Sequence, residues 1–147
     1  MVACERGVCG IGFKLNGGRE VTLKNLFLSL GDRPPKYCPD QTKKFVVTAF
    51  RGGKIKVILR GTPFQLTIWN GLLRIPSGEV ISYEGLARSL GMPGAARAVA
   101  SAIARNPVSW LVPCHRVLRS SGSISGYRWG RLKKCAMIAI EMANASN

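Results

Sequence analysis

The apolar and polar positions of this chain change period several times. RGVCGIGFKL offers Val8, Ile11 and Phe13 as apolar positions and predicts a strand, weakened by its glycines. VTLKNLFLSLGD repeats Leu23, Leu26, Phe27 and Leu30 at i, i+3, i+4 and i+7, the spacing of one helical face, with Gly31 as a stop. DRPPKYCPD is proline-rich and predicts a surface loop. KFVVTAFRGGKIKVILRG has two readings. Its β-branched residues around Gly52-Gly53 suggest a hairpin, whereas Asp40 as a cap starts a short helix that ends at Gly52.

The composition shifts at Gly61-Thr62-Pro63, which predicts an N-terminal subdomain over 1–60 and a second domain over 61–147. FQLTIWNGLLRI puts Phe64, Ile68, Trp69 and Leu72 on one helical face, begun by Pro63 at a favourable first-turn position. IPSGEVIS is a turn around Pro76 and Gly78. Ser82 then caps a helix through Leu90, Gly91 to Gly94 make a tight turn, and Ala95 to Arg105 form a second helix, a helix-turn-helix pattern. On that second helix Val99, Ala102 and Ile103 are expected inward, and Arg97, Ser101 and Arg105 recur every fourth residue on another face. Its many alanines suit helix propensity, and they also let a backbone come close to a partner. A minor groove of roughly 6 Å would require that closeness.

Charge changes the picture more than length does. The chain has 147 residues, enough for a compact domain with a subdomain, and carries 22 Lys and Arg against 7 Asp and Glu. A net charge of +15 spread along the chain makes nucleic acid the expected partner, on a folded basic surface rather than a tail. No apolar run reaches the length of a membrane span, and MVACERGVCG is broken by charge too early for a signal peptide, so an intracellular, cytoplasmic protein without membrane partners is expected. The five cysteines form no C-x-x-C pair and suggest a reduced compartment. Cys4, Cys9 and Cys38 match no familiar zinc spacing and the one histidine is remote, so neither metal nor cofactor is expected.

That histidine stands in VPCHRVLRSSGSISGYRWG, directly after Cys114. Any Cys/His chemistry must use His115; Asn106 lies just upstream, and Glu141 is the lone acid of a basic, apolar C-terminal segment, the natural group to polarise the imidazole. From RGTPFQLTIWNGLLRIPSGEVISYEGLA through GAARAVASAIARNPV to VPCHRVLRSSGSISGYRWG and Glu141, the chain resembles the O6-alkylguanine-DNA alkyltransferases, or methylated-DNA–protein-cysteine methyltransferases. It is most similar to the C-terminal domain of the Ada-type members, and VACERGVCGIGF resembles the same domain's N-terminal part.

The resemblance implies an α/β fold in which a small sheet-plus-helix subdomain packs on a mostly helical domain with a helix-turn-helix. It implies that Cys114 is the alkyl acceptor and that His115 and Glu141 draw off its proton through a water. Asn106 would order the site, Tyr83 would hydrogen-bond the flipped base, Arg97 would fill the vacated stack and Tyr127 would wall the guanine pocket. The main chain around Val117 and Ser125 would hold the base edge, while Ser101, Arg105 and Arg116 are candidate DNA contacts. The partner would be double-stranded DNA, bound from the minor groove by a monomer with little sequence specificity. The residue types suit the chemistry: attack on saturated carbon favours a soft thiolate, and the stacked base must be extruded first.

Three features stand apart from the family pattern. The strand that usually precedes the VACERG-like segment has no visible counterpart, the family has helix then strand where 40–60 reads as a hairpin, and Trp129 is expected to crowd the pocket loop. We take the helix-then-strand version. Rival readings are a lesion-binding protein without transfer, a helix-turn-helix regulator reading the major groove, and a cysteine hydrolase.

Overall fold

The structure, a computed structural model, describes residues 1–4, 6–14, 18, 22, 26, 39–51, 53–124 and 126–146. The helix expected over 21–32 and the proline-rich loop after it lie almost wholly outside these residues. The chain divides into two compact units, Met1–Arg60 with Pro107–Leu111, and Gly61–Asn106 with Val112–Asn147. Pro107–Leu111 therefore joins the first unit, although a boundary at residue 60 assigns it to the second.

In the first unit strand β1 (Val2–Cys4) runs antiparallel to β2 (Gly7–Gly10). The sequence reading missed β1, because three residues are too few to show a period. Val8 then bonds an extended segment on its other side, from its N–H to the Lys56 carbonyl at 2.9 Å and from the Ile58 N–H to its own carbonyl at 2.8 Å. Gly7, at φ 146°, is required there: a Cβ would run into the Lys56 carbonyl oxygen. Ile11 takes in residues 107–111 the same way, donating to the Pro107 carbonyl at 2.9 Å and accepting from Ser109 at 3.1 Å. This backbone pairing, invisible in a linear pattern, draws the pentapeptide into the first unit.

Helix α1 (Pro39–Phe50) overturns the hairpin reading of 40–60. Asp40 stands in its first turn, where a carboxylate complements the helix dipole. The β-branched Thr48 is accommodated because its hydroxyl donates to the Lys44 carbonyl at 2.8 Å. After Gly53 no strand follows among the described residues, only a single parallel bridge from Val57 to Val8, so the helix of the helix-then-strand version is present and its strand is reduced to that bridge.

The second unit opens with α2 (Pro63–Leu72). Thr62 accepts from the Gln65 N–H and the Gln65 side chain accepts from the Thr62 N–H, a capping box with Pro63 at the first helical position. Ile68, Trp69 and Leu72 are buried as their spacing predicts, while Phe64 in the first turn stays exposed. Ser82 ends the two-residue strand β3 (Ile81–Ser82) and caps α3 (Tyr83–Ser89) through the Gly85 N–H at 2.9 Å. Gly91 supplies the left-handed turn, φ 73°, that leads to α4 (Ala96–Ala104). Val99, Ala102 and Ile103 are buried on α4, and Arg97, Ser101 and Arg105 are exposed. Strand β4 (Val117–Leu118) pairs in parallel with β3, and α5 (Arg131–Ala145) buries Lys134, Met137 and Glu141. Among the described residues no helix is long and apolar enough to cross a membrane.

Trp69 joins α2 to α4, its indole N–H donating to the Ala102 carbonyl at 2.9 Å in the buried interior. Trp69→Phe keeps most of the apolar contact but loses that bond, so urea unfolding is expected to show a loss of about 1 kcal/mol. Trp69→Ala should cost about 3–5 kcal/mol, because a large cavity replaces the ring.

Candidate active site

Pro113 leads into a single 3₁₀ turn, Cys114–Arg116. The turn is pinned by the Cys114 N–H on the Val112 carbonyl at 2.8 Å and by Arg116 N–H on Pro113 at 3.1 Å. Asn106 donates from its side-chain amide to the same Val112 carbonyl at 2.9 Å, ordering the chain just before the cysteine. Consecutive residues on a 3₁₀ turn point about 120° apart. Cys114 therefore faces a cavity of about 400 Å³, while His115 is fully buried off its wall.

His115 Nε2 lies 3.0 Å from Glu141 Oε1. A carboxylate only accepts, so Nε2 carries the proton and Nδ1 is the basic nitrogen. Glu141 is held from the other side by Arg116, whose Nε donates to Oε2 at 2.8 Å and whose second terminal nitrogen donates to Oε1 at 2.7 Å. The remaining Arg116 nitrogen bonds the Ile75 carbonyl. Burial pushes His115 below its ordinary value, against the pull of the Glu141 carboxylate. Burial opposes ionisation of Glu141, but hydrogen bonds from Arg116 and His115 outweigh it and hold the carboxyl below its ordinary range.

On the cavity side the Cys114 sulfur is 3.5 Å from the Tyr127 hydroxyl. Lys134, a residue the sequence reading did not single out, lines the same cavity while only 1% exposed. Its ammonium donates to the Val117 carbonyl at 2.6 Å and stands 5.9 Å from the ring centres of both Tyr83 and Tyr127. Burial pushes Lys134 below its ordinary value, and the Cys114 and Cys135 thiols pull it back up. Arg128, also on the wall, interacts electrostatically with Cys114 and lies over the Trp129 ring at 5.2 Å. The helical spacing did carry the signal for Lys134: it sits three and seven residues before Met137 and Glu141, on the buried stripe of α5.

Five expected residues, Tyr83, Arg97, Asn106, Cys114 and Tyr127, share this cavity. His115 and Glu141 meet as expected, away from its wall. Ser101 and Arg105 stay on the exposed face of α4, and Ser125 lies outside the described residues. Three expected residues stand off the cavity wall. Arg116 is bound inward to Glu141 rather than presented to DNA, because a buried carboxylate needs a cationic partner. Val117 is not on the cavity wall, and its carbonyl accepts from Lys134. Trp129 is buried and is absent from the wall, where Arg128 lies instead. Among the described residues no three His, Cys, Asp or Glu side chains stand together to hold a metal ion.

A thiol on a cavity wall, followed directly by an imidazole fixed on a carboxylate, belongs to the class of sites whose chemistry can support a cysteine nucleophile. Comparison with known proteins narrows that class. Residues 63–143 match the family described as 6-O-methylguanine DNA methyltransferase, DNA binding domain, and the chain belongs to that family. It is 38% identical over 95% of its length to the bifunctional transcriptional activator/DNA repair enzyme Ada of Escherichia coli, of which it spans 41%. Among solved structures, Mycobacterium tuberculosis OGT in complex with DNA matches with TM-score 0.64 and 40% identity over 69% of this chain and 66% of that one. The O6-methylguanine-DNA methyltransferase of Pyrococcus kodakaraensis matches with TM-score 0.70 and 28% identity over 95% of this chain and 89% of that one.

The buried pair also sets a pH dependence. His115 in the fold lies below its ordinary 6.5 and Glu141 below its ordinary 4.5, so the unfolded chain binds more protons at acid pH. Stability is expected to be full above about pH 6.5, to fall as pH drops toward the folded value of His115, and to fall again below about pH 4.5 as Glu141 is protonated. Urea midpoints from about pH 4 to 8 check this, and His115→Gln should abolish the first loss while keeping the second.

Proposed function

We propose that the chain repairs O6-alkylated guanine in double-stranded DNA by moving the alkyl group, methyl above all, to the sulfur of Cys114. The observation that carries this reading is the placement of Cys114 on a cavity wall with the His115–Glu141 pair one residue on. His115 accepts the thiol proton through a water, and Glu141 stabilises the imidazolium. Lys134 and Arg128 line the same cavity as Cys114, and their charges interact with it.

The thiolate attacks the alkyl carbon, the carbon–O6 bond breaks, and its electron pair returns to the base. Tyr83, on the cavity wall, donates the proton that neutralises guanine as it leaves. The product is a thioether, which none of these side chains can hydrolyse. Each molecule therefore reacts once.

Residues 61–147 form the DNA-binding and acceptor domain in this reading, with α3 and α4 as the helix-turn-helix. The base must leave the stack to reach the cavity, at a cost of a few kcal/mol. Arg97 joins the exposed face of α4 to the cavity wall and is suited to fill the gap, while Ser101 and Arg105 meet phosphate. Ala96, Ala100 and Ala104 on the same wall let the helix backbone approach the minor groove closely.

Intact-protein mass spectrometry after incubation with a duplex holding one O6-methylguanine tests the proposal. One methyl on Cys114, saturating at one per protein and absent in Cys114→Ser, is the expected outcome. Tight lesion binding with no mass change would instead establish a damage-binding protein, and turnover of an acyl substrate without DNA a hydrolase. For the DNA contact, Arg97→Ala is expected to weaken lesion-duplex binding about tenfold. Wild-type affinity should fall at least about tenfold between roughly 50 and 200 mM salt, measured by fluorescence anisotropy.

A further inference from the structure

Two cysteines outside this site stand together in the first unit. The Cys9 thiol donates to the Cys4 sulfur across 3.4 Å, with the Gly7 carbonyl as a second neighbour at 3.7 Å. Strand register brings them together. Cys4 pairs with Gly7 and Ala3 with Val8, but Val2 skips to Gly10, so a bulge leaves Cys9 without a cross-strand partner. Regular pairing would set Cys9 across from Val2; the bulge places its sulfur against Cys4 instead. The turn between them is held by Gly7, whose left-handed backbone lies hard against Lys56.

The two thiols are unequal. Cys4 is exposed, and the hydrogen bond from Cys9, then the backbone at Arg6 and Gly7 and the Arg6 charge, hold it below its ordinary value. Cys9 is partly buried, and burial followed by its bond to Cys4 pushes it up. An exposed thiol whose ionisation is favoured, beside a less exposed thiol whose ionisation is opposed, is the arrangement of an attacking and a resolving thiol.

We propose that Cys4 and Cys9 form a reactive dithiol site for low-molecular-weight disulfides of the glutathione type, Cys4 attacking and Cys9 resolving. The Cys4 thiolate attacks one sulfur of glutathione disulfide; the sulfur–sulfur bond breaks and one glutathione leaves as its thiolate. Cys9 gives its proton to that thiolate and attacks the Cys4 sulfur, expelling the second glutathione, which takes a proton from water. Two protein thiols become one disulfide, and one glutathione disulfide becomes two glutathione molecules. The sulfurs need to close from 3.4 Å to about 2.0 Å, within reach of side-chain rotation on a fixed hairpin.

The test treats the full chain with one equivalent of glutathione disulfide, alkylates the remaining thiols and maps the peptides by mass spectrometry. The expected product has lost two hydrogens, contains a Cys4–Cys9 cross-link that dithiothreitol reverses, and leaves Cys114 and Cys135 alkylated. Cys9→Ser should stop with one glutathione on Cys4, and Cys4→Ser should slow the reaction at Cys9 by at least about tenfold. Wild type that stops at a mixed disulfide, or that reacts at Cys135 as fast as at Cys4, would overturn the proposal.

Discussion

The second unit turns on one buried carboxylate. Glu141 is 6% exposed, and an ion removed from water costs several kcal/mol unless charged donors replace its hydration. Arg116 supplies two of those donors and His115 a third. The same contacts fasten α5 to the 3₁₀ turn that carries Cys114, and Arg116 extends the tie to Ile75. The requirement to satisfy a single acid thus fixes which way the imidazole faces and which nitrogen holds its proton. It also explains why an arginine in the middle of PCHRV, in a chain of net charge +15, does not face solvent.

A second buried charge balances the first. Lys134 stands 5.9 Å from two tyrosine ring centres and donates to the Val117 carbonyl, and its positive charge interacts with Cys114, as does that of Arg128. In the proposed reaction, transfer of a proton from Cys114 to His115 creates a negative sulfur and a positive ring. Glu141 already stands at the ring, and the two cations already line the cavity that Cys114 faces. Dipoles and charges set in place before the reaction need no reorganisation during it. The cation–π contacts tie Tyr83 and Tyr127, both on the cavity wall, to the same ammonium.

Helix α4 with its cap Arg105 serves three surroundings within ten residues. Val99, Ala102 and Ile103 pack inward, where the Ala102 carbonyl receives the Trp69 indole. Ala96, Ala100 and Ala104 line the cavity, and Arg97, Ser101 and Arg105 are exposed. Alanine makes this possible because it fits the interior, a narrow wall and a close backbone approach at no cost in helix propensity. Larger residues on the cavity side would close the space in front of Cys114.

By itself the sequence determined the local elements whose signals are local: the cap at Ser82, the Gly91 turn, the inward stripe of α4, and the helix from Pro63. The PCHRV segment, the lone histidine and the lone C-terminal acid also marked the His115–Glu141 pair, because so few residues could serve. Tertiary structure alone decided what depends on long-range pairing and on burial. It turned Arg116 inward, buried Trp129, put Lys134 on the cavity that Cys114 faces, and drew Pro107–Leu111 into the first unit through Ile11. Each of these answers a demand for a hydrogen-bond partner that residues distant in sequence must meet, or a packing choice among several apolar positions. A linear pattern records which residues are apolar or charged, and only the folded chain selects their partners.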